Sequence, residues 1–263
     1  MASVNLQEQH WTRLFGNVTT EPIPHYGSWT VFSLENTILR NFQGLRILQA
    51  NEDLTILTHT NKFPQNDGTF QEKSWEIKKE TCNLADGLLH PADPTKRSFS
   101  ILEYGATSWF PQKLIPGIQF SVEFFLKYDP SNDSIGGIYG DNGVLDRIIM
   151  IREQLGDFPC EPLTPLTNIS GSWQGEKLTM MPDLRILEPE IIPKLILDPS
   201  EGQNQTFFLP DQVVLTIPKM VKLGEAFQMF AGRLVTANRY QRLSVMYNEL
   251  GNFVSLSNET FQC

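Results

Sequence analysis

The tripeptide Gly27-Ser28-Trp29 recurs as Gly171-Ser172-Trp173 in the second half of this 263-residue chain. Each copy opens a series of short, β-rich segments. Each series ends in a similar hairpin, in which a tyrosine stands four residues before a glycine: Tyr139 and Gly143 in the first half, Tyr247 and Gly251 in the second. The spacing between the copies far exceeds the roughly 20–50 residues of a solenoid unit. The pattern therefore predicts a domain duplication, with two copies of one β-fold.

Outward from the first copy, the hydrophobic pattern has the period of two that is typical of antiparallel strands. From Ile118 to Leu126 alternate residues are apolar, and the residues between them include Gln119, Ser121 and Glu123. Such alternation indicates a sheet that is buried on one face. Further strands are predicted at 29–35, 44–49, 54–60, 72–79, 99–103, 134–139 and 145–152, and at 173–180, 191–197, 205–209, 212–217, 227–235, 239–247 and 252–257.

The domain organisation follows from these segments. Leu6, Trp11 and Leu14 recur at helical spacing, which predicts a short helix near 5–15. Closing a sheet into a barrel removes its exposed edges, so we predict an all-β fold of two tandem antiparallel β-barrels with a short N-terminal helix. The predicted boundaries are a helical lead at 1–24, a first barrel at 25–153, a linker at 154–168 and a second, smaller barrel at 169–263.

The bulk composition argues against several partners. The formal net charge is −9 and no run of Lys or Arg occurs, so we expect neither nucleic acid nor an anionic membrane as a partner. No apolar stretch reaches the length of a membrane span. The cysteines are too few and too scattered for a disulfide framework or a CxxC metal site, which favours a reduced, cytoplasmic protein: Cys82, Cys160 and Cys263. Nothing in the sequence indicates an oligomeric state.

Several catalytic motifs are missing from the sequence. It holds no GxSxG elbow, no P-loop, no GxGxxG after a strand and no HExxH. The four histidines fall in different predicted elements and are expected to lie far apart: His10, His25, His59 and His90. We therefore expect no metal and no cofactor.

The motifs resemble those of the calycin, or lipocalin, group. The segment Gln9-His10-Trp11-Thr12-Arg13-Leu14 before the first Gly-x-Trp, the strand from Gly143 to Glu153, and the second start at Ile169–Glu176 are similar to an uncharacterised family with two lipocalin domains, found mainly in photosynthetic bacteria. The second barrel is also distantly similar to phycobilin lyases, which hold an open-chain tetrapyrrole. This resemblance implies two lipocalin-like barrels and a bound small molecule, and it supplies no catalytic residues.

The resemblance to lipocalin-like barrels implies a structural role for the two repeated tryptophans. Trp29 and Trp173 are expected to close the narrow ends of the barrels, each beneath an arginine of a late strand. The candidate arginines are Arg147 or Arg152 in the first barrel and Arg239 or Arg242 in the second.

Glu103 is the candidate acid or base. In the segment 99–103 it shares a face with Phe99 and Ile101, which are expected to point into the barrel. Keeping a carboxylate charged in an apolar cavity is costly unless it is paired, so an interior Glu103 is suited to proton transfer. The alternative is a structural group that lies near the barrel mouth or pairs with an interior arginine. His59 alternates with Leu57 and either pairs with Glu103 or lies solvated at the strand end.

Aromatic side chains supply the candidate ligand-binding wall. Trp75 alternates with Ile77 and is expected to face the cavity, while Tyr104 and Trp109 flank the end of the next strand. Such rings can stack on a flat conjugated ligand, although any β-core also uses them. The predicted inward-facing set that could contact a ligand is Trp75, Tyr104, Trp109, Phe99, Ile101 and Phe120.

These observations predict a barrel that binds a hydrophobic small molecule, such as a terpenoid, a polyene or a tetrapyrrole-like compound. The enzymatic version is a cofactor-free isomerisation or cyclisation by acid/base chemistry at Glu103 and His59, since similar two-barrel proteins look like isomerases and cyclases of natural product biosynthesis. The alternatives are a non-catalytic carrier, a chromophore-attachment chaperone similar to a bilin lyase, or a protein-interaction scaffold with filled cores.

Overall fold

The structure, a computed structural model, describes residues 5–65, 67–103, 105–128, 131–166, 172–196 and 204–263. These residues form two antiparallel sheets, of eleven and seven strands. The first half comprises α1 (Leu6–Phe15), β1 (Ile23–Phe32), β2 (Ile38–Ala50), β3 (Ile56–Pro64), β4 (Phe70–Lys78), α2 (Lys79–Cys82), β5 (Asn83–Leu84), β6 (Gly87–Leu89), β7 (Lys96–Ser100), β8 (Thr107–Pro111), β9 (Phe120–Tyr128), β10 (Ser131–Tyr139) and β11 (Leu145–Leu155).

The second half contains the seven-stranded sheet. Its strands are β12 (Gln174–Met180), β13 (Glu190–Ile192), β14 (Asn204–Leu209), β15 (Val213–Pro218), β16 (Phe227–Thr236), β17 (Arg239–Tyr247) and β18 (Phe253–Gln262), with one 3₁₀ turn at Pro210–Gln212. The order across this sheet is β13-β12-β18-β17-β16-β15-β14. The prediction of an all-β chain with one short N-terminal helix is therefore confirmed.

The eleven-stranded sheet curls into a nearly closed barrel. Its order is β4-β3-β2-β1-β11-β10-β9-β8-β7-β6-β5, and its two edge strands, β4 and β5, are joined directly by the short α2. Helix α1 packs against this barrel through the buried Trp11 and Phe15. The Trp11 indole N–H donates to the Leu54 carbonyl at 2.9 Å. Asn5 caps the helix by accepting a hydrogen bond from the Glu8 amide.

The apolar face of the first sheet points away from its own interior. On β9 the buried residues Phe120, Val122, Phe124 and Leu126 belong to a large core shared with the second sheet. The alternate residues Glu123, Phe125 and Lys127 face the barrel interior instead. The predicted inward direction of the apolar stripe is therefore wrong, because the second sheet buries that stripe more completely than the barrel interior does.

A buried ion pair also joins the two sheets. The Arg233 guanidinium of β16 donates to the Asp133 carboxylate of β10 at 2.6 Å, and both side chains are buried. Removing one partner would leave the other charge buried without its counter-ion, which is costly. The ion pair therefore holds the two sheets in one relative arrangement.

The two repeated hairpins dock reciprocally on the opposite half of the molecule. The Tyr139 hydroxyl donates to the Pro218 carbonyl at 2.8 Å, and the Tyr247 hydroxyl donates to the Pro111 carbonyl at 2.6 Å. Gly143 and Gly251 have φ values of 74° and 71°, which favour glycine. Their carbonyls accept from the amides of Val221 and Leu114, each at 2.8 Å. The repeat therefore marks the contacts between the halves.

Most predicted strands occur within a few residues of their predicted bounds, but β5, β6 and β8 were not predicted. Gly171 and residues 169–170 lie outside the described residues, so the predicted start of the second barrel and the boundaries of the linker stay predictions. All three cysteines are unpaired. Across the described ranges, no helix is both long and apolar enough to cross a membrane.

Candidate functional site

A cavity of about 630 Å³ occupies the interior of the eleven-stranded barrel. Alternate residues of successive strands line it, in pairs such as Arg46 and Leu48 on β2 or Trp75 and Ile77 on β4. The end of α1 closes part of one side with Arg13, Leu14 and Phe15. A volume of this size suits a drug-sized small molecule. The walls combine aromatic, aliphatic, charged and imidazole groups.

The first Gly-Ser-Trp motif lies beside this cavity. Trp29 stacks on Phe42, with ring centroids 5.9 Å apart, and meets Phe63 edge-on at 5.3 Å. Its ring folds back over Gly27, where an added Cβ would lie 2.5 Å from the indole and 3.1 Å from the Glu153 side chain. Glycine is therefore needed at position 27 so that the tryptophan can pack next to the cavity wall.

Two histidines meet on the cavity wall. His59 of β3 and His90, which follows β6, place Nδ1 and Nε2 respectively 2.8 Å apart. The Ala92 amide donates to His90 Nδ1 at 3.0 Å, so His90 Nε2 carries the proton and donates to His59 Nδ1. His59 Nε2 then donates to the Asn61 side-chain oxygen at 3.0 Å. The result is a directional chain of hydrogen bonds through two neutral imidazoles.

Burial keeps these histidines neutral. Desolvation, together with a smaller effect of the nearby Arg46 charge, lowers the pKa of His59 to about 3. Desolvation and Arg46 likewise lower the pKa of His90 to about 4. A third cavity histidine, His25, has its pKa lowered to about 4 by desolvation, Arg46 and Lys127. Neutral imidazoles both accept and donate protons, which suits the chain described above.

Two tryptophans flank the histidine pair. The Trp75 ring lies 5.3 Å from His59 and 5.6 Å from His90, and the Trp109 ring lies 6.0 Å from His90. The Lys96 ammonium sits 4.0 Å above the Trp109 ring. These contacts link β3 and β4, near one edge of the sheet, to β8 and the residues after β6, near the other edge. They also present flat aromatic surface to a ligand.

Charged groups lie on the β2, β9 and β11 side of the cavity. Arg46 forms a 3.2 Å ion pair with Glu153, which also accepts from the Asn132 amide at 3.3 Å. Burial raises the pKa of Glu153, while Arg46 opposes that shift. Glu123 accepts from the Ser134 hydroxyl at 2.6 Å. Across the described ranges, no three His, Cys, Asp or Glu side chains are grouped so that they could hold a metal ion.

The structure separates the predicted site residues. His59, Trp75 and Trp109 lie on the cavity wall, and their contact with a ligand stays a prediction. Glu103 is exposed in the turn after β7, so its predicted interior position is wrong. That turn forms because the Ser100 hydroxyl bonds to the Leu102 and Gly105 carbonyls, which ends the strand before position 103.

Three predicted wall residues lie elsewhere, and one is outside the described residues. Phe99, Ile101 and Phe120 belong to the core between the sheets, where Phe99 contacts Phe253 of β18 with centroids 4.8 Å apart. Their predicted place on the ligand wall is therefore wrong. Tyr104 lies outside the described residues. The expectation that the histidines lie far apart is also wrong, since His59 and His90 are in contact.

Six polar residues of the cavity wall were not predicted to lie in the barrel interior, because polar residues usually face solvent: His25, Arg46, Asn61, His90, Glu123 and Glu153. The available signal was the alternation itself, because each polar residue stands two positions from another cavity residue. The expected arginine partners of Trp29 are also wrong. Arg152 pairs with Asp211 and Arg147 with Asp146. In the second half Arg242 lies over Phe261, which packs in one cluster with Trp173.

Comparisons with known proteins match both halves of the chain. Residues 7–158 match the N-terminal domain of a family described as a domain of unknown function, DUF3598. Residues 190–260 match the C-terminal domain of a family described as biogenesis factor required for ATP synthase 1. Among curated proteins, none matches the chain.

A solved structure shares the fold. A Nostoc punctiforme protein of unknown function from the DUF3598 family is 22% identical, with 96% of this chain and 98% of that chain covered and a TM-score of 0.75. An AttH-like protein from Nitrosomonas europaea is 8% identical over 91% and 92% of the two chains, with a TM-score of 0.20. A Rhodopseudomonas blastica porin mutant is also 8% identical, over 92% and 99%, with a TM-score of 0.19. These last two scores are too low to indicate a shared fold.

Proposed function

The chain belongs to the DUF3598 family, whose description assigns no activity, and from the geometry of the cavity we propose that its first barrel binds a flat, largely apolar small molecule. The proposed ligands are terpenoid, polyene or tetrapyrrole-like compounds. The observation that carries this proposal is the 630 Å³ interior cavity, whose walls include Trp75 and Trp109. A filled core would leave no such volume, because protein interiors are close-packed.

We also propose the finer architecture, in which the two sheets are tandem lipocalin-like barrels. The reciprocal docking of the two Tyr-x-x-x-Gly hairpins supports a duplication. The distant similarity of the second barrel to phycobilin lyases belongs to the same proposal. A carrier or chromophore-attachment role needs only the binding cavity.

Retinol, a conjugated polyene alcohol, is a suitable probe for the binding test. Titrating it into the protein should quench tryptophan fluorescence, because Trp75 and Trp109 face the cavity. Leu48→Trp places a large ring inside the cavity and should abolish binding. Leu45→Trp, on the opposite face of the same strand, adds the same chromophore outside and should leave binding intact. Equal affinity in the two variants would contradict binding inside the barrel.

Acid/base catalysis is the second candidate function, and the His59–His90 chain favours it. A double-bond isomerisation is balanced when one proton leaves one carbon and the same proton returns to another, so it needs no cofactor. A substrate carbon that takes the place of Asn61 lies at His59 Nε2. With His59 in its Nδ1–H tautomer, Nε2 takes the proton from the first carbon and returns it to the second. This assignment replaces Glu103, which is exposed.

Incubation with a pigment and terpenoid extract, followed by mass spectrometry, separates carrier from catalyst. Retention of unchanged compound supports the carrier. Conversion that His59→Gln and His90→Gln both abolish, while binding persists, supports catalysis. His25→Gln is the matched control for the loss of an imidazole from the cavity wall, since His25 takes no part in the hydrogen bonds between His59 and His90. Conversion that survives in both variants would refute this role.

A further inference from the structure

The charge of the cavity wall is opposite to that of the whole protein. The chain has a formal net charge of −9. The wall, however, carries three basic side chains, namely Arg13, Arg46 and Lys127, against two acidic ones, Glu123 and Glu153. Three of the four histidines line it as well. An acidic protein that concentrates basic groups on the wall of this interior cavity is built to attract an anion there.

Arg46 is the cation best placed to receive that anion. Its Nη1 forms the ion pair with Glu153, whereas its Nε is buried and has no hydrogen-bond partner. Its side chain is 15% exposed, and it lines the cavity. A guanidinium has five N–H donors in a planar fork, which matches a carboxylate with two parallel hydrogen bonds. The ion pair with Glu153 engages one terminal nitrogen, so Nη2 is left to bind a ligand carboxylate.

The surroundings of Arg46 suit an anion as well. Its charge lowers the pKa of His25, His59 and His90 alike, which places it within electrostatic reach of all three. The neutral imidazoles can reorient to donate N–H groups to an oxyanion. Trp75 and Trp109 contact the histidine pair and provide apolar surface. Arg46 on β2 and Trp75 on β4 lie on opposite sides of β3, the strand that carries His59, so a ligand that contacts both runs along the wall past His59.

We propose that the ligand carries a carboxylate at one end, bound by Arg46 among the three cavity histidines, with its apolar body along Trp75 and Trp109. This inference rests on the proposed function and names the chemical class of the ligand. Glu153 acts as the resident counter-ion, which satisfies Arg46 when no ligand is bound and competes with the ligand carboxylate for the same guanidinium.

Retinoic acid and retinol form a matched pair of probes, with one polyene and either a carboxylate or a hydroxyl at its end. At pH 7.5 the protein should bind retinoic acid about tenfold or more tightly than retinol, because a charge-assisted hydrogen bond exceeds a neutral one by about 1.4 kcal/mol. Fluorescence quenching measures both affinities in the full-length protein.

Two variants should move the acid affinity in opposite directions. Glu153→Gln removes the competing carboxylate and should strengthen retinoic acid binding by about fivefold. The double variant Arg46→Gln/Glu153→Gln removes both charges, so no buried ion is stranded, and should reduce acid affinity to that of retinol. Retinol affinity should stay constant in both. Arg147→Gln changes a partly exposed arginine that pairs with Asp146 away from the cavity wall; it is the control and should change neither affinity.

The outcomes distinguish this inference from the proposed function. Equal binding of acid and alcohol in the wild type, or unchanged acid affinity in the double variant, overturns the carboxylate assignment and leaves the ligand-binding barrel standing. Weaker acid binding in Glu153→Gln overturns the competition by Glu153. Failure of both retinoids to bind overturns the inference and the proposed function together.

Discussion

The two faces of the eleven-stranded sheet differ in what they contribute. On β8, Phe110 is fully buried and packs against Phe99 and Phe253 in the core between the sheets. Its neighbour Trp109 faces the other way, into the cavity, beside His90 and Lys96. One face is close-packed and largely apolar, with the buried Asp133–Arg233 ion pair within it, whereas the other encloses space and is lined by several charged groups. The first stabilises the molecule and the second is available for chemistry.

This difference teaches that the strongest hydrophobic pattern can mark an interface rather than a binding cavity. The apolar stripe of β9 is the clearest alternation in the chain, and it packs against the second sheet. The less regular face, with Glu123, Phe125 and Lys127, lines the cavity. In a barrel that is covered from outside, polar residues that alternate with apolar ones indicate the interior.

The largest expected effect comes from substituting neighbours on the two faces. Phe110→Ala should lower the free energy of unfolding by about 3–5 kcal/mol, because it opens a cavity in the close-packed core. Trp109→Ala should cost less than half as much, since one side of its ring already borders open space. The same variant should weaken retinol binding by about fivefold, whereas Phe110→Ala leaves it unchanged. Urea unfolding and fluorescence titration measure the two quantities. Equal losses of stability would contradict the distinction between faces.

The sequence predicts the fold better than the site. The β-strands and the helix at α1 follow from period-two alternation and helical spacing, both of which are local signals. The direction of each face is not local, because it depends on which other sheet covers the strand. Phe99 and Glu103 were placed by local alternation alone, and the packing between the sheets and the turn at Ser100 overrode it.

The histidine pair shows a second limit. His90 follows β6, a strand of three residues that carries too little pattern to be recognised. Its contact with His59 arises only because the sheet curls until its two edge strands, β4 and β5, approach each other. The alternation within one strand predicts that Trp75 faces the cavity, but it cannot predict a contact between the rings of His59 and His90.

Acidification should test the cavity face through the same two histidines. The ordinary pKa of 6.5 falls to about 3 for folded His59 and to about 4 for folded His90. The unfolded chain therefore takes up protons first, and stability is lost as the pH falls below about 6.5. Between pH 7 and pH 5 each histidine should cost about 2 kcal/mol of unfolding free energy.

The double variant His59→Gln/His90→Gln isolates this effect. Urea unfolding at the two pH values should show a smaller loss of stability in the variant than in the wild type, by the sum of the two histidine contributions. His25 and His10 remain in both proteins, so their titration cancels in the comparison. Identical pH dependence in the two proteins would show that the pair does not remain neutral in the fold.

The reciprocal tyrosines should contribute smaller and matched effects. Tyr139→Phe leaves the buried carbonyl of Pro218 without its donor, and Tyr247→Phe does the same to the partly buried carbonyl of Pro111. Each should lower the free energy of unfolding by about 1–2 kcal/mol, and neither should alter retinol affinity. Similar losses support the equivalence of the two hairpins. A much larger loss from one variant would show that the two halves hold each other asymmetrically.

Glu103→Gln should have the smallest effect of all. It distinguishes the interior position predicted from the sequence from the exposed position in the structure. As an interior acid, Glu103 would change ligand affinity or turnover when neutralised. As an exposed residue in the turn after β7, it should change stability by less than about 0.5 kcal/mol and retinol affinity by less than about twofold. Arg13 on the cavity wall is an electrostatic neighbour of Glu103: burial lowers the pKa of Arg13 and Glu103 raises it. A large loss of binding in this variant would therefore mean that the α1 end of the cavity, rather than the Arg46 end, receives the ligand.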